Sequence, residues 1–284
     1  MNRNIKTGFA LMGVVALSLS ACKKEKESID SDTASVAEYA MSDAAFNDVA
    51  SISDEAYDGS LDSYRIQNGG SSEKVMTTCA TITFDTTVTP KTLTIDFGPS
   101  DCLCGDGNYR RGAIIVSWTG PYKDSGSVRT ITFNNYFVNY NQILGTKTVT
   151  NNGRNTSGNL SYTVTVNGSV VWDPQYFGGG GTSTFTSTRT RVWIAGEGTL
   201  GWLDDVYLIS GSTNGTTRAG STYTMVTTEA LKKEIGFKHF TDGVLEFTPS
   251  GKYTRVIDYG YVNGQRDALA QVTINGYTFT IQLK

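Results

Sequence analysis

Four cysteines (Cys22, Cys79, Cys102 and Cys104) and a single histidine, His239, bound the chemistry open to this chain of 284 residues. One histidine removes H-E-x-x-H zinc sites, and any Ser-His-Asp triad would hang on Lys238-His239-Phe240, a charged stretch that reads as surface. No G-x-S-x-G elbow is present. Gly196-Glu197-Gly198-Thr199-Leu200-Gly201 has the form G-x-G-x-x-G, but phosphate binding by that pattern needs a parallel strand before it and a helix after it. Trp202 to Tyr207 follows instead, and it reads as a strand. Asp96, Asp101, Asp106 and Asn108 crowd one glycine-rich turn with hard oxygen ligands, yet their spacing is not that of a calcium loop, and turn chemistry is the preferred reading. A pair of carboxylates for glycoside hydrolysis need only meet in space, and no pair stands out. No catalytic residue, metal ligand or cofactor site is assigned.

Aromatic side chains are the other candidates. Trp118, Tyr122, Trp172 and Tyr176 lie near strand ends or glycine-rich loops, where an aromatic face beside polar neighbours can stack on a sugar ring. Core packing is the weightier reading, because tryptophans in β proteins are mostly interior.

Cys22 closes a segment with the parts of a secretory signal: basic Arg3 and Lys6, an apolar run over 8–19, and small residues before the cysteine. At 1.5 Å per residue that run is too short to span a bilayer. Leu19-Ser20-Ala21-Cys22 resembles a bacterial lipobox, which implies removal of 1–21 and acylation of Cys22 as the first mature residue. At about 0.8 kcal/mol per buried CH₂, one chain holds marginally and two or three hold permanently. Lys23, not aspartate, follows the cysteine, which favours the outer membrane over the inner and leaves the leaflet open. Asp32-Thr33-Ala34 fits an O-glycosylation pattern of the Bacteroidetes, at Thr33. Loss of the signal leaves 22 basic against 27 acidic residues, with adjacent basic residues only at Lys23-Lys24, Arg110-Arg111 and Lys232-Lys233, so nucleic acid is not expected as a partner.

The elements that must carry these residues change character along the chain. Residues 22–34 read as a charged, flexible spacer. Residues 35–74 read as an acidic amphipathic helix and a linker: Ser35-Val36-Ala37-Glu38 has the form of a capping box, and Val36, Tyr39, Phe46, Val49, Ile52 and Ala56 recur at three- and four-residue spacing. The acidic face would repel an anionic lipid surface, so the helix is expected to dock on the rest of the chain or on a partner. From 75 to 284 the period is two, as in Ala80-Thr81-Ile82-Thr83-Phe84 and Ser161-Tyr162-Thr163-Val164-Thr165-Val166, with a helix conceivable only near Thr228 to Ile235. Asn167-Gly168 and Asn275-Gly276 have hairpin-turn composition. The class expected is all-β: an antiparallel β-sandwich after a short helix. An echo between Ile95-Asp96-Phe97-Gly98 and Ile257-Asp258-Tyr259-Gly260 suggests two related lobes, 75–177 and 182–284.

The order of Cys79-Ala80-Thr81-Ile82-Thr83-Phe84-Asp85, Ile95-Asp96-Phe97-Gly98 with Cys102, Arg110-Arg111-Gly112-Ala113-Ile114-Ile115-Val116 and Phe133-Asn134-Asn135-Tyr136-Phe137 resembles a group of uncharacterised Bacteroidetes lipoproteins over nearly the whole mature chain. Members similar to this chain carry a second cysteine pair near its Ile235-Gly236-Phe237 and Tyr259-Gly260-Tyr261, where it has none. The resemblance implies an anchored all-β protein and no activity. With Cys22 lipidated, three cysteines remain in an oxidising compartment. Cys79–Cys102 is favoured, Cys79–Cys104 stays open, and Cys102–Cys104 would strain its ring. The expected function is that of a membrane-anchored extracytoplasmic lipoprotein of structural or interaction type, with protein or glycan as partner. The alternatives are a glycan-binding accessory protein and, behind it, a glycan hydrolase.

Overall fold

The computed structural model describes residues 30–60 (58–60 by backbone only), 77–175, 179–199, 203–237, 239–261 and 266–283. A helix, α1 (Ala34–Ser60), precedes fourteen strands. The first half comprises β1 (Thr81–Asp85), β2 (Lys91–Asp96), β3 (Cys102–Leu103), β4 (Tyr109–Trp118), β5 (Val128–Val138), β6 (Asn141–Arg154) and β7 (Leu160–Trp172). The second comprises β8 (Gly181–Ala195), β9 (Val206–Thr216), β10 (Thr222–Glu234), β11 (Asp242–Pro249), β12 (Arg255–Asp258), β13 (Leu269–Ile274) and β14 (Tyr277–Gln282).

The protein is thus all-β with one N-terminal helix. The strands form one antiparallel sheet in chain order from β1 to β14, with β3 attached to β4 off that path. The two expected lobes are halves of this sheet. Across the glycine tract, β7 and β8 stay paired from Ser161–Val192 to Trp172–Gly181.

Alternation along β8 shows how the two faces of the sheet divide. Thr182, Thr184, Thr186, Thr188 and Thr190 are exposed, whereas Ser183, Phe185, Ser187, Arg189, Arg191 and Trp193 are buried. Threonine suits the outer face because its branched β carbon fits the pleat and its hydroxyl meets water. The inner face needs a cover, and α1 supplies it. Its predicted core residues Val36, Tyr39, Phe46, Val49, Ile52 and Ala56 are all at most 3% exposed.

Contacts along α1 run broadly from the last strands toward the first. Asp30, just before the helix, pairs with Arg255 of β12, Tyr39 meets Tyr223 of β10 and Phe247 of β11, and Asp43 meets Arg189 of β8. Further on, Asp48 meets Arg110 of β4, Asp54 meets Arg129 of β5, and Tyr57 packs on Phe84 of β1. At 1.5 Å per residue a helix of 27 residues is about 40 Å long, enough to cross most of the strands. The acidic face therefore docks on the chain's own sheet.

The helix start differs from the expected capping box. Asp32 Oδ1 accepts the Ala34 N–H at 3.0 Å, while the Glu38 carboxylate accepts the Arg218 N–H at 2.7 Å and leaves the helix end uncapped by Glu38. With Asp30 and Asp32 also tied to Arg255 and Lys252, the spacer expected over 22–34 has joined the body by Asp30. Helix and sheet share one core, which runs from Val36 to Leu283.

Asn275-Gly276 makes the expected turn between β13 and β14, with φ of 47° and 82°. Asn167-Gly168 does not turn at all. It lies inside β7, and a Cβ on Gly168 would sit 2.3 Å from Phe46 Cζ, so this glycine is a seat for the helix's phenyl ring. Thr228 to Ile235 is not helical, since β10 continues to Glu234. The echoed segments share a local device: Asp96 Oδ1 accepts the Gly98 N–H at 2.8 Å, Asp258 Oδ1 accepts the Gly260 N–H at 2.9 Å, and the intervening Phe97 and Tyr259 are buried.

Phe46 is wedged edge-on between Phe133 and Phe185, so its ring cannot yield to a new methyl group. Gly168→Ala should cost about 1–3 kcal/mol in chemical denaturation. Combined with Phe46→Leu, it should cost clearly less than the sum of the two single changes; strict additivity would show that ring and glycine do not meet.

Candidate functional site

The side chains that the fold gathers are charged groups between α1 and one rim of the sheet. Arg110 is wholly buried and donates through Nη1 and Nη2 to Asp106 at 2.8 and 2.7 Å, and through Nη2 to Asp48 on α1 at 2.7 Å. Burial alone would raise the Asp106 pKa, but hydrogen bonds and charge from Arg110 outweigh it and hold the carboxyl below its ordinary range. Arg111, the next residue, points outward to Asp101 at 2.8 Å and lies over the Phe137 ring. Alternation thus sends the two arginines of the sequence pair to opposite duties.

Beside this cluster a cavity of about 490 Å³ opens between the helix and the strand ends. Its floor is one stripe of α1 containing Met41, Ala44, Ala45, Asp48 and Ser51. Val138, Ile143, Val170 and Trp172 wall it on the side of β5, β6 and β7, and Lys233, Gly236 and Phe237 on the side of β10. Asn108, Asn139 and Asn141 form a locked rim: Asn139 Nδ2 donates to Asn108 Oδ1 at 2.8 Å, and Asn141 Oδ1 accepts the Asp173 N–H at 3.0 Å.

Two buried amines lie close to α1. Lys147 donates to the Phe46 carbonyl at 2.8 Å, and Lys233 donates to the Phe237 carbonyl. Burial lowers the pKa of each to about 8. Burial also lifts the Asp205 carboxyl to about 7, against the Tyr207 hydroxyl that donates to it at 3.1 Å.

Cys79 is joined to Cys102, the pairing favoured by the sequence. Cys104 is free, buried, and 3.5 Å from Cys79 Sγ, with burial raising its thiol pKa. The crowded carboxylates serve separate donors: Asp96 the Gly98 N–H, Asp101 Arg111, and Asp106 Arg110 and Asn108. Gly196 to Thr199 belongs to an antiparallel turn between β8 and β9, and His239 is half-buried.

The proposed stacking residues are engaged by protein. Trp118 packs among Tyr57 and Phe84. One face of Tyr122 stacks on Tyr162 with centroids 4.8 Å apart, and the Arg129 guanidinium lies 4.5 Å from its ring. Trp172 is 4% exposed and donates its indole N–H to Ser183 at 2.8 Å. Trp172 is buried and lines the cavity, while Trp118 and Tyr122 are half-buried and packed against the core. Tyr176 and Cys22 lie outside the described residues, and Thr33 is half-buried with its carbonyl accepting the Ala37 N–H at 3.0 Å.

No family model, curated protein or solved structure matches this chain. The site therefore rests on its own geometry. Asp48, Arg110 and Lys233 are the residues that reading by motif overlooks, and the signal for them was positional: charges standing where the alternation demands apolar side chains.

Two outcomes follow from this geometry. Between about pH 8 and 10.5 the unfolded chain holds a proton on Lys147 that the folded chain lacks, so stability from this group rises with pH there, and below pH 8 its burial is a constant cost. Lys147→Met should accordingly raise stability at pH 7 by about 1–3 kcal/mol, and the gain should shrink toward pH 10.5 in paired denaturation curves. Cys102→Ser should move the bridge to Cys79–Cys104 with the fold kept, read by peptide mapping under oxidising conditions; two free thiols would contradict the proximity of the three sulfurs.

Proposed function

We propose that this chain is a lipid-anchored extracytoplasmic protein of structural or interaction type, without catalysis, held in the outer membrane through Cys22. The observation that carries the reading is Leu19-Ser20-Ala21-Cys22 at the end of a short apolar segment that begins with basic residues. The Cys79–Cys102 bridge supports it, because such bonds persist in oxidising compartments. Among the described residues no helix is long and apolar enough to cross a membrane, so attachment in this reading falls to the acyl chains.

The body suits an interaction role. Three carboxylates on α1 are committed to arginines, Asp43 to Arg189, Asp48 to Arg110 and Asp54 to Arg129, and these pairs hold the helix in place. What faces outward is a broad sheet surface rich in Thr, Ser and Asn, such as Thr186, Thr188, Ser212 and Asn214. Phe84, Leu103 and Leu203 add exposed apolar side chains at or beyond strand ends.

The full chain expressed in a Gram-negative host with radiolabelled palmitate should incorporate label and fractionate with the outer membrane. Cys22→Ser should carry no label and should keep its signal segment. Label retained in Cys22→Ser, or a wild-type chain found soluble and unlabelled, would remove the anchor from this account.

A further inference from the structure

The cavity between α1 and the sheet rim combines three properties that the docking of the helix does not require. It is roomy, at about 490 Å³, within the roughly 300–1,000 Å³ typical of small-molecule sites. Its walls are mainly apolar, formed by Met41, Val138, Ile143, Val170, Trp172 and Phe237. It also contains one amine without a counter-ion. Lys233 is 8% exposed, its ammonium donates to the Phe237 carbonyl, and among the described residues no carboxylate pairs with it.

Lys147 shares this state, donating to the Phe46 carbonyl, whereas Arg110 has Asp106 and Asp48 and Arg189 has Asp43; of the two amines only Lys233 lines this cavity. A buried ammonium facing one carbonyl is under-compensated, since desolvation removes more than a single neutral acceptor returns. The two carboxylates whose charge reaches it, Asp48 and Asp43, form no ion pair with it and close instead on Arg110 and Arg189.

We infer that this cavity is a binding site for a small amphiphilic carboxylate, with its apolar body against Trp172, Ile143 and Met41 and its carboxylate on Lys233. An anion there supplies the missing partner in a medium where a charge-assisted hydrogen bond is strong. An apolar body fills walls that water would wet poorly. The side chains of Asn139 and Asn141 are already engaged with Asn108 and Asp173, so the rim is set before a ligand arrives. The lowered Lys233 pKa of about 8 still leaves the amine mostly charged at neutral pH. This inference does not depend on the anchor, and the two fail separately: acyl labelling tests one and a soluble titration tests the other.

The test uses the chain from Lys23 onward, which retains the complete helix and sheet core, titrated calorimetrically with sodium decanoate and with 1-decanol below their aggregation limits. Decanoate should saturate one site and bind at least ten-fold more tightly than decanol. In Lys233→Met the acid should lose that advantage while decanol binding persists. Ala45→Phe, which fills the floor of the cavity from the helix, should weaken both ligands at least ten-fold, and it serves as the test if Lys233→Met does not fold. Equal affinity for acid and alcohol, absence of a saturable decanoate site, an acid preference that survives Lys233→Met, or undiminished binding in Ala45→Phe would each overturn the proposal.

Discussion

The inner face of this continuous sheet must be kept from water, and in this molecule α1 packs on it. The contact that fixes the cover is the Phe46 ring on Gly168, where the absence of a Cβ lets the phenyl approach the middle of β7. Phe133 and Phe185 hold that ring from either side, which sets both the depth and the rotation of the helix. Once Phe46 is seated, Tyr39 falls toward β10 and β11 and Tyr57 toward β1, so one ring position determines which strands each end of the helix meets.

The ion pairs under the helix act on register more than on net stability. Removing a carboxylate and a guanidinium from water costs several kcal/mol per ion, which their attraction returns only with good geometry and further hydrogen bonds. Arg110 meets that condition with two carboxylates, and Arg189 meets it with Asp43 and the Tyr39 hydroxyl. A helix slipped by one turn would strip Arg189 of Asp43 and leave Arg110 with Asp106 only, and breaking a buried pair costs roughly 3–5 kcal/mol. The apolar contacts make docking favourable, and the charges make every other docking unfavourable.

The sequence carries the helix plainly and leaves the layering open, for different physical reasons. Val36, Tyr39, Phe46, Val49, Ile52 and Ala56 announce a buried stripe because helical period is a local property. Alternation announces strands equally well, but nothing in a strand's pattern states whether the layer above it is another sheet or a helix. Asn167-Gly168 misleads because Asn-Gly composition is the same for a turn and for a strand residue that must yield space; the deciding atom is a phenyl carbon more than a hundred residues earlier. The site was hidden by type rather than position. In Phe185-Thr186-Ser187-Thr188-Arg189-Thr190-Arg191-Val192-Trp193 the arginines occupy the inward parity marked by Phe185 and Trp193, and strict attention to parity would have placed them inside before any partner was known.

Irregularity in the sheet accompanies the cavity at this rim. Strands at or beside it depart from regular register: β4 against β5 near Gly112, β5 against β6 between Thr132 and Phe137, and β10 against both neighbours. Gly112 has φ of 76°, and a Cβ there would lie 1.9 Å from the Asn135 carbonyl oxygen, so this bulge is written into the glycine. Bulges bend a strand and re-aim its side chains. Here they separate the strand ends from a stretch of helix whose facing residues, Ala44 and Ala45, are too small to follow. Space therefore remains where helix and sheet could have closed on each other with larger residues, and a buried amine stands in its wall.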